Sequence, residues 1–486
     1  MNETLRSAKS RARHNGRLPA LLHGANTMRQ RCKPALERPA AIMNAAPSAT
    51  FSGPLRLDAR DPHFDAAFRA LLAMKREVPR DVDAAVQKIL ADVKARGDAA
   101  LHEYSLKFDQ IDLAKTAMRV TAAEIAAAVT QCPAPALAAL ALAHERIRAF
   151  HLHQRPADLA FTDALGVQLG WRWSAIEAVG LYVPGGTAAY PSSVLMNGVP
   201  AKVAGVPRIV MVVPAPGGQI NPLVLAAADM AGVDEIYRLG GAQAIAALAY
   251  GTQSLAPVAK IVGPGNAWVA AAKRRVFGTV GIDMIAGPSE VLVLADGHAN
   301  PDWIAADLIA QAEHDSAAQS ILITDSAALG DAVADAVQRQ LATLPRRAIA
   351  AASWRDFGAI VLVPALAQAI PLVDRLAPEH LEIMADDAQA LSLKIRNAGA
   401  IFIGGHTPEA IGDYIGGSNH VLPTARSAKF SSGLGVPDFM KRTSILHCDA
   451  TSLRALAPAA MALGAAEGLD GHARSVAIRL NLAGTP

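Results

Sequence analysis

The chain has 486 residues, 52% of them hydrophobic and 18% charged, and its formal net charge at pH 7 is +3. This balance indicates a folded globular protein with a sizeable core and excludes a disordered chain. Residues 1–42 hold nine Lys or Arg and two Glu, so the rest of the chain has a net charge of −4, which disfavours a nucleic-acid partner.

The N-terminal segment, residues 1–50, is predicted to be a disordered basic leader. It is rich in Arg and lacks the apolar core of a secretory signal. An organellar transit peptide and a translated leader before Met43 stay open as alternatives. No apolar run reaches the roughly 18 residues of a membrane span, so we expect no membrane partner. Three scattered cysteines without a CxxC pair favour a reducing compartment, and we expect the cytoplasm.

After the leader, two patterns of hydrophobic residues follow each other along the chain. Helical periodicity dominates from Phe64 to about His153, where RDVDAAVQKILADVKARGD ends near Gly97, a typical C-cap. From about Ala175, short β-rich runs such as RIVMVV alternate with glycine turns and helices. The same rhythm resumes after IDMIAGPSEVLVLAD with SILITDS, AIVLVPA and AIFIGG, which indicates parallel α/β units.

Three glycine turns, Pro184–Gly186, Gly240–Gly241 and Gly263–Gly265, each follow a predicted strand and precede a helix. Such turns let backbone N–H groups approach a phosphate, as a dinucleotide site requires. None of them reads GxGxxG, and any α/β protein needs glycines at these turns. The turns therefore predict either a nucleotide site or ordinary connections.

Histidines beside carboxylates or amides are the strongest chemical signal. Gln311 and His314, in IAQAEHD, are three residues apart on a predicted helix, so both side chains could bind one metal or substrate, or form a polar stripe facing solvent. In LAPEHLEIM, the proline is predicted to place Glu379 and His380 at a helix start, where they could serve as acid and base or as a structural cap. HExxH is absent.

The segment Ile282–His314 resembles the signature of the histidinol dehydrogenase family. The family pattern recurs in order from about Leu55 to Leu482, in YVPGGTAAYPSSVLMN, GGAQAIAALAYG, KIVGPGNAWV, APEHLEI, GDYIGGSNHVLPT, FSSGLGVPDFMKRTS and EGLDGHA. One departure is that Asp315 is followed by Ser316, where the family commonly has a Gly-Pro or Asp-Pro step.

The resemblance implies an α/β fold with two Rossmann-like domains of atypical topology and small helical N- and C-terminal segments. The boundaries that follow from it are an N-terminal helical segment at 51–75, a first, catalytic and zinc-binding domain at 76–181 and 290–434, a second, NAD-binding domain at 182–289, and a dimer-swapped C-terminal segment at 435–486. It also implies a homodimer with an active site shared between the subunits.

The activity implied by the resemblance is oxidation of L-histidinol to L-histidine through bound L-histidinaldehyde with two NAD, the final steps of histidine biosynthesis. One Zn²⁺ per subunit would be bound by Gln311, His314, Asp413 and His472. The resemblance assigns His380 as the general base for the alcohol.

The resemblance further assigns Glu379 as the residue that activates water to attack the aldehyde. The substrate contacts that it implies are Ser289, Gln311, His314, His380, Asp413, His420, Glu467 and His472, of which Glu467 and His472 would reach the partner's site. The implied cofactor contacts are Tyr182, Gln243 and Asn266, which fall at the three glycine turns.

Three other functions compete with this interpretation. A paralogue on the same fold could oxidise another small alcohol, such as a sulfopropanediol, and a zinc hydrolase could use the His and Asp ligands beside Glu379. A catalytically silent binding protein has no support in the sequence. The complete set of implied metal and substrate residues favours histidinol.

Overall fold

The computed structural model describes residues 53–74, 80–185 and 190–482. The predicted disordered leader lies outside these residues, as does Gly186 in the first glycine turn. The β-strands within the described ranges are β1 (Leu55–Asp58), β2 (Leu159–Thr162), β3 (Gln168–Ala175), β4 (Val179–Tyr182), β5 (Ile209–Val213), β6 (Glu235–Arg238), β7 (Lys260–Val262), β8 (Gly281–Ile282), β9 (Glu290–Ala295), β10 (Gln319–Thr324), β11 (Ala359–Leu362), β12 (His380–Met384), β13 (Ala400–Ile403) and β14 (Met440–His447).

The helices alternate with these strands through most of the chain. They are α1 (Phe64–Ala73), α2 (Arg80–Arg96), α3 (Asp98–Phe108), α4 (Ala122–Gln131), α5 (Ala134–Leu152), α6 (Pro191–Ala204), α7 (Pro222–Ala231), α8 (Gly241–Tyr250), α9 (Ala267–Val276), α10 (Pro301–Ala312), α11 (Ala327–Leu341), α12 (Arg347–Phe357), α13 (Ile370–Leu376), α14 (Ala388–Ser392), α15 (Glu409–Tyr414), α16 (Ala450–Ala466) and α17 (Asp470–Arg479).

A five-stranded parallel sheet has the order β6-β5-β4-β7-β8. Its strands are buried on both faces, which explains why IVMVV at Ile209–Val213 is continuously apolar. Alternate side chains of β5 face different cores, with Val210 and Val212 toward α8 and α9 and Met211 toward α6 and α7. When its strands are numbered in chain order from β4, the sheet order is 3-2-1-4-5. The chain therefore first adds strands on one side of β4 and then on the other, so the direction of the connections reverses between β4 and β7.

A second, six-stranded parallel sheet has the order β1-β11-β10-β9-β12-β13. From β9 onward it repeats the 3-2-1-4-5 order, and β1 adds an edge strand. The N-terminal segment 51–75 was predicted to be helical. It contains both β1 and α1, because Leu55–Asp58 pairs with Ala359–Leu362 across the sheet edge.

A three-stranded antiparallel sheet, β14-β3-β2, joins the middle of the chain to its C-terminal part. The C-terminal segment is therefore not wholly helical either, since β14 precedes α16 and α17, which pack on each other. No single helix among the described residues is long and apolar enough to cross a membrane, although the bent pair α4 and α5 meets the length and composition criteria jointly.

The α/β class with parallel sheets and helical terminal segments is confirmed. The domain boundaries stay a prediction, and the packing differs from them at one point. Helices α2 to α5 pack against α6 to α9 of the five-stranded sheet, although residues 76–181 were assigned to the other domain. Both sheets belong to one compact unit.

Candidate active site

The two parallel sheets meet end to end. Only residues 283–289 join the carboxyl end of β8 to the amino end of β9, so these two edges must be neighbours. A cavity lies between them, lined by Gly263 and Asp283 from the five-stranded sheet and by Ser289 and Glu379 from the six-stranded sheet. The predicted catalytic side chains are thus at the amino ends of parallel strands, facing the carboxyl ends of the other sheet.

Glu379 and His380 precede and begin strand β12, not a helix as the sequence predicted. Strand pairing overrides the proline signal here, because His380 lies opposite Val291 in β9 and Ala400 in β13. The central position in the sheet buries both side chains.

The His380 ring is held in one tautomer. Its Nδ1 lies 3.0 Å from the carbonyl oxygen of Glu290, and because a carbonyl oxygen only accepts, Nδ1 donates and carries the proton. Its Nε2 is buried, has no hydrogen-bond partner among the described residues and lies 3.7 Å from Oδ1 of Asp413. Burial lowers the pKa of His380 to about 4, with partial opposition from Asp413, so the ring is neutral near pH 7.

Two buried glutamates beside His380 were missed by the sequence analysis. Oε1 of Glu409 lies 3.5 Å from His380 Nδ1, and the backbone N–H of Glu409 donates to Oε1 of Glu382 at 2.6 Å. Burial, with nearby carboxyl groups including Asp413, raises the pKa of Glu409 well above its usual value. Its spacing of four from Asp413 on α15 was the available signal, because that spacing puts both on one helix face.

Gln311 and His314 lie together as predicted, but not on one helix. Helix α10 ends at Ala312, and His314 follows in a turn. Gln311 Nε2 and His314 Nδ1 are 3.5 Å apart, Gln311 is fully buried and His314 is exposed. The charge of His314 reaches His380 and contributes to its lowered pKa.

His420 extends the same cluster. Its Nδ1 lies 2.9 Å from the backbone carbonyl oxygen of Asp413, and its Nε2 lies 3.4 Å from Oγ of Ser193. Burial lowers the pKa of His420, while Asp413 opposes the shift. Ser193 was not predicted, because only the packing of α6 brings it to this site.

Glu467 and His472 are exposed on the C-terminal helical pair. In the described part of one chain, His472 does not belong to the group formed by His380, Glu409 and Asp413, whose ligand atoms lie within 4.8 Å of one another. Their contribution to a partner's site stays a prediction.

The donor atoms of the predicted metal ligands from one chain fit a divalent metal by their chemistry. Gln311 Oε1 is buried and lacks a hydrogen-bond partner among the described residues, so an amide oxygen is left without a donor. Amide oxygen, imidazole and carboxylate, from Gln311, His314 and Asp413, form a donor set that zinc accepts without thiolates.

The predicted cofactor residues lie along the carboxyl edge of the five-stranded sheet. Tyr182 ends β4 and its hydroxyl accepts from the N–H of Gly241 at 3.1 Å, while Gln243 is buried in the first turn of α8. Asn266 caps α9 by accepting from two backbone N–H groups. Gly263 has a φ of +107°, and a side chain there would collide with the Tyr182 carbonyl.

A buried ion pair lies at this edge of the sheet and was not predicted from the sequence. Lys273 and Asp283 bind each other and bind both backbone groups of Gly263: Lys273 Nζ donates to its carbonyl at 2.9 Å, and Asp283 Oδ2 accepts from its N–H at 2.7 Å. The sequence offers no specific signal, because Lys273 reads as an ordinary cation in the last turn of a helix.

Comparisons with known proteins identify one family. A family model described as histidinol dehydrogenase matches residues 72–480. The chain is 69% identical over 428 residues to a histidinol dehydrogenase of Rhodopseudomonas palustris, covering 88% of this chain and 99% of that protein. It is 68% identical over 429 residues to one of Bradyrhizobium diazoefficiens, covering 88% and 100%.

A solved structure extends the likeness to the fold. The histidinol dehydrogenase of Elizabethkingia anophelis is 33% identical and superposes with a TM-score of 0.84, covering 89% of this chain and 99% of that one. Both relatives are bacterial, and the match covers 99% and 100% of their length but 88% of this chain. They therefore give no support to the alternative of organellar import.

Proposed function

This chain belongs to the histidinol dehydrogenase family, oxidoreductases of histidine biosynthesis, and we propose that it oxidises L-histidinol to L-histidine in two NAD-dependent steps through bound L-histidinaldehyde. The observation that carries the proposal is a neutral, oriented His380 whose Nε2 lies 3.7 Å from Asp413 and whose pKa is affected by His314. The neighbouring residue Glu379 lines the cavity that Gly263 also lines, at the predicted cofactor edge.

The first role is that of a base for the alcohol. His380 accepts the hydroxyl proton at Nε2, because Nδ1 is already committed to the Glu290 carbonyl. Two molecules of NAD, bound one after the other, would supply the oxidant: each would take up one hydride and leave as NADH, the first hydride coming from the alcohol and the second from the hydrated aldehyde. The buried position of His380 keeps bulk water from competing for the proton.

The second role is that of a base for water. Glu379 lines the cavity, and its Oε2 accepts from the Glu290 N–H at 3.0 Å, which leaves the carboxylate oriented toward the cleft. It takes the proton of the water that adds to the aldehyde carbon. Two adjacent bases with different chemistries serve two successive proton transfers.

The metal set proposed for this enzyme is Gln311, His314 and Asp413 from one chain, completed by His472. A zinc ion held by these residues would serve to orient the substrate through its imidazole and amine groups. Ser289 and His420 complete the substrate contacts from the same chain, and Glu467 with His472 reaches the partner subunit of a homodimer. Tyr182, Gln243 and Asn266 bind NAD.

A paralogous activity on another small alcohol is the second candidate, because the Glu379 and His380 pair alone does not select a substrate. The carboxyl group of Asp413, 3.7 Å from His380 Nε2, favours the cationic amine of histidinol over a sulfonate. Membership of an oxidoreductase family argues against the zinc-hydrolase alternative.

The test is turnover of purified protein with NAD and zinc. About two NADH per histidine formed are expected with L-histidinol, and little or no NADH with a sulfopropanediol. NADH formed only with the sulfopropanediol would overturn the substrate, and no NADH with any alcohol would overturn the activity.

A further inference from the structure

Asp109 follows α3 and has no role in the chemistry above. Its Oδ2 is enclosed, yet it has no hydrogen-bond partner among the described residues. Burial raises the pKa of this carboxyl group to about 6. A buried carboxylate oxygen without a donor is costly, and a ligand that donates hydrogen bonds would remove the cost.

Its backbone places Asp109 at a particular strand end. The Asp109 carbonyl accepts from the N–H of Gly217 at 3.2 Å, and Gly217 belongs to the turn Pro216–Gly218 just after β5. Strand β5 is the second strand in the 3-2-1-4-5 order counted from β4. In dinucleotide-binding sheets of this order, an acidic residue near the end of the second strand binds the ribose hydroxyls of the adenosine.

The chain after β5 reads PAPGGQ and contains no acid. The carboxyl group that the sheet order calls for is instead supplied by Asp109, just after α3 and over 100 residues earlier in the chain. The charge of Asp109 also acts on the phenol of Tyr182 at the predicted cofactor edge, where the Tyr182 hydroxyl accepts a hydrogen bond from the N–H of Gly241.

We propose that Asp109 is the residue that selects NAD over NADP, by accepting hydrogen bonds from the adenosine ribose hydroxyls and repelling a 2′-phosphate. The inference rests on the proposed use of NAD and names the group that recognises its ribose. The inference requires a carboxyl group at the end of the second strand and, on that group, an oxygen without a hydrogen-bond partner among the described residues. Asp109 meets both requirements.

The experiment measures equilibrium binding of NADH and of NADPH by fluorescence, without an alcohol substrate, in the wild type and in Asp109→Asn and Asp109→Ser. Loss of the charge-assisted acceptor should weaken NADH binding about tenfold, and NADPH should bind at least as well as before. The NADH preference should therefore fall by roughly tenfold or more. Asp112→Asn, the same change in the same loop, should leave the preference within about twofold.

A merely structural role for Asp109 would weaken both nucleotides alike. A preference unchanged within about twofold in both Asp109 variants, with NADH still bound by the wild type, would overturn the inference and leave the proposed function intact. A wild type that binds neither nucleotide would overturn the inference together with the proposed use of NAD.

Discussion

Glu379 and His380 are adjacent in the chain, and one residue binds both of their side chains. The N–H of Glu290 donates to Glu379 Oε2, and the carbonyl of Glu290 accepts from His380 Nδ1, each at 3.0 Å. Because β9 and β12 are paired, the sheet itself sets the orientation of the two proposed bases. Substitutions of either base can therefore be chosen so that the hydrogen bond to the Glu290 backbone is kept.

Replacing His380 by Asn removes the base at Nε2. Both hydride transfers should slow by about 100-fold or more, because each needs a hydroxyl proton to be removed, first from the alcohol and then from the aldehyde hydrate, and general base catalysis contributes roughly this factor. Stopped-flow measurement of NADH formation, first from histidinol and then from histidinaldehyde, tests the two steps separately. Loss of only the aldehyde step would contradict the role assigned to His380.

Replacing Glu379 by Gln should separate the two oxidations. The amide oxygen can still accept from the Glu290 N–H, so the local structure is retained, but the side chain no longer takes a proton from water. About one NADH per subunit should form rapidly from histidinol, followed by a second phase slowed by about 100-fold. Equal slowing of both phases would count against this division of labour.

Glu382 should make the protein less stable as the pH rises. Burial, reinforced by Asp307, raises the pKa of Glu382 from 4.5 to about 9. Between these values the folded state retains a proton that the unfolded state has released, so the free energy of unfolding decreases with increasing pH. Glu382→Gln removes this dependence and keeps an acceptor for the Glu409 N–H.

The measurement is the urea midpoint of wild type and Glu382→Gln at pH 6 and pH 9. The difference in favour of the variant should grow toward pH 9. The exposed Glu177→Gln serves as the control and should follow the wild type. Parallel pH profiles for wild type and Glu382→Gln would refute the assignment.

Chelation should abolish turnover without unfolding the protein, and added zinc should restore it. Gln311→Leu should lower the zinc content after gel filtration, because it removes the buried Oε1 that lacks a partner. Gln340→Leu, outside the site, is the matched control. Elemental analysis measures the zinc content, and circular dichroism independently measures whether the protein is folded. Full zinc content in Gln311→Leu would exclude Gln311 as a ligand.

The Lys273 and Asp283 pair should contribute to stability mainly through its balance of charge. Lys273→Met leaves a buried carboxylate without its cation and should cost about 3–5 kcal/mol in the free energy of unfolding. The double variant Lys273→Met with Asp283→Leu should recover part of that loss in urea unfolding. A double variant no more stable than the single one would argue that the bonds to Gly263, not the charges, dominate.

The sequence predicted the α/β class because strand, glycine and helix patterns are local. It predicted the proximity of Gln311 and His314 for the same reason, since three residues of spacing limit their separation to about one turn. It failed where pairing partners decide the outcome: Glu379 and His380 begin a central strand because β9 and β13 lie on either side.

By itself, the sequence determined which residue types are available, and its ordered motifs determined the family. Only the tertiary structure decided that the amino edge of one sheet faces the carboxyl edge of the other, that Glu382 and Glu409 are buried beside His380, and that Asp109 reaches the end of β5. The physical reason is that burial, tautomer and pKa depend on groups far away in the chain, whose positions follow from strand order and packing and leave no local trace.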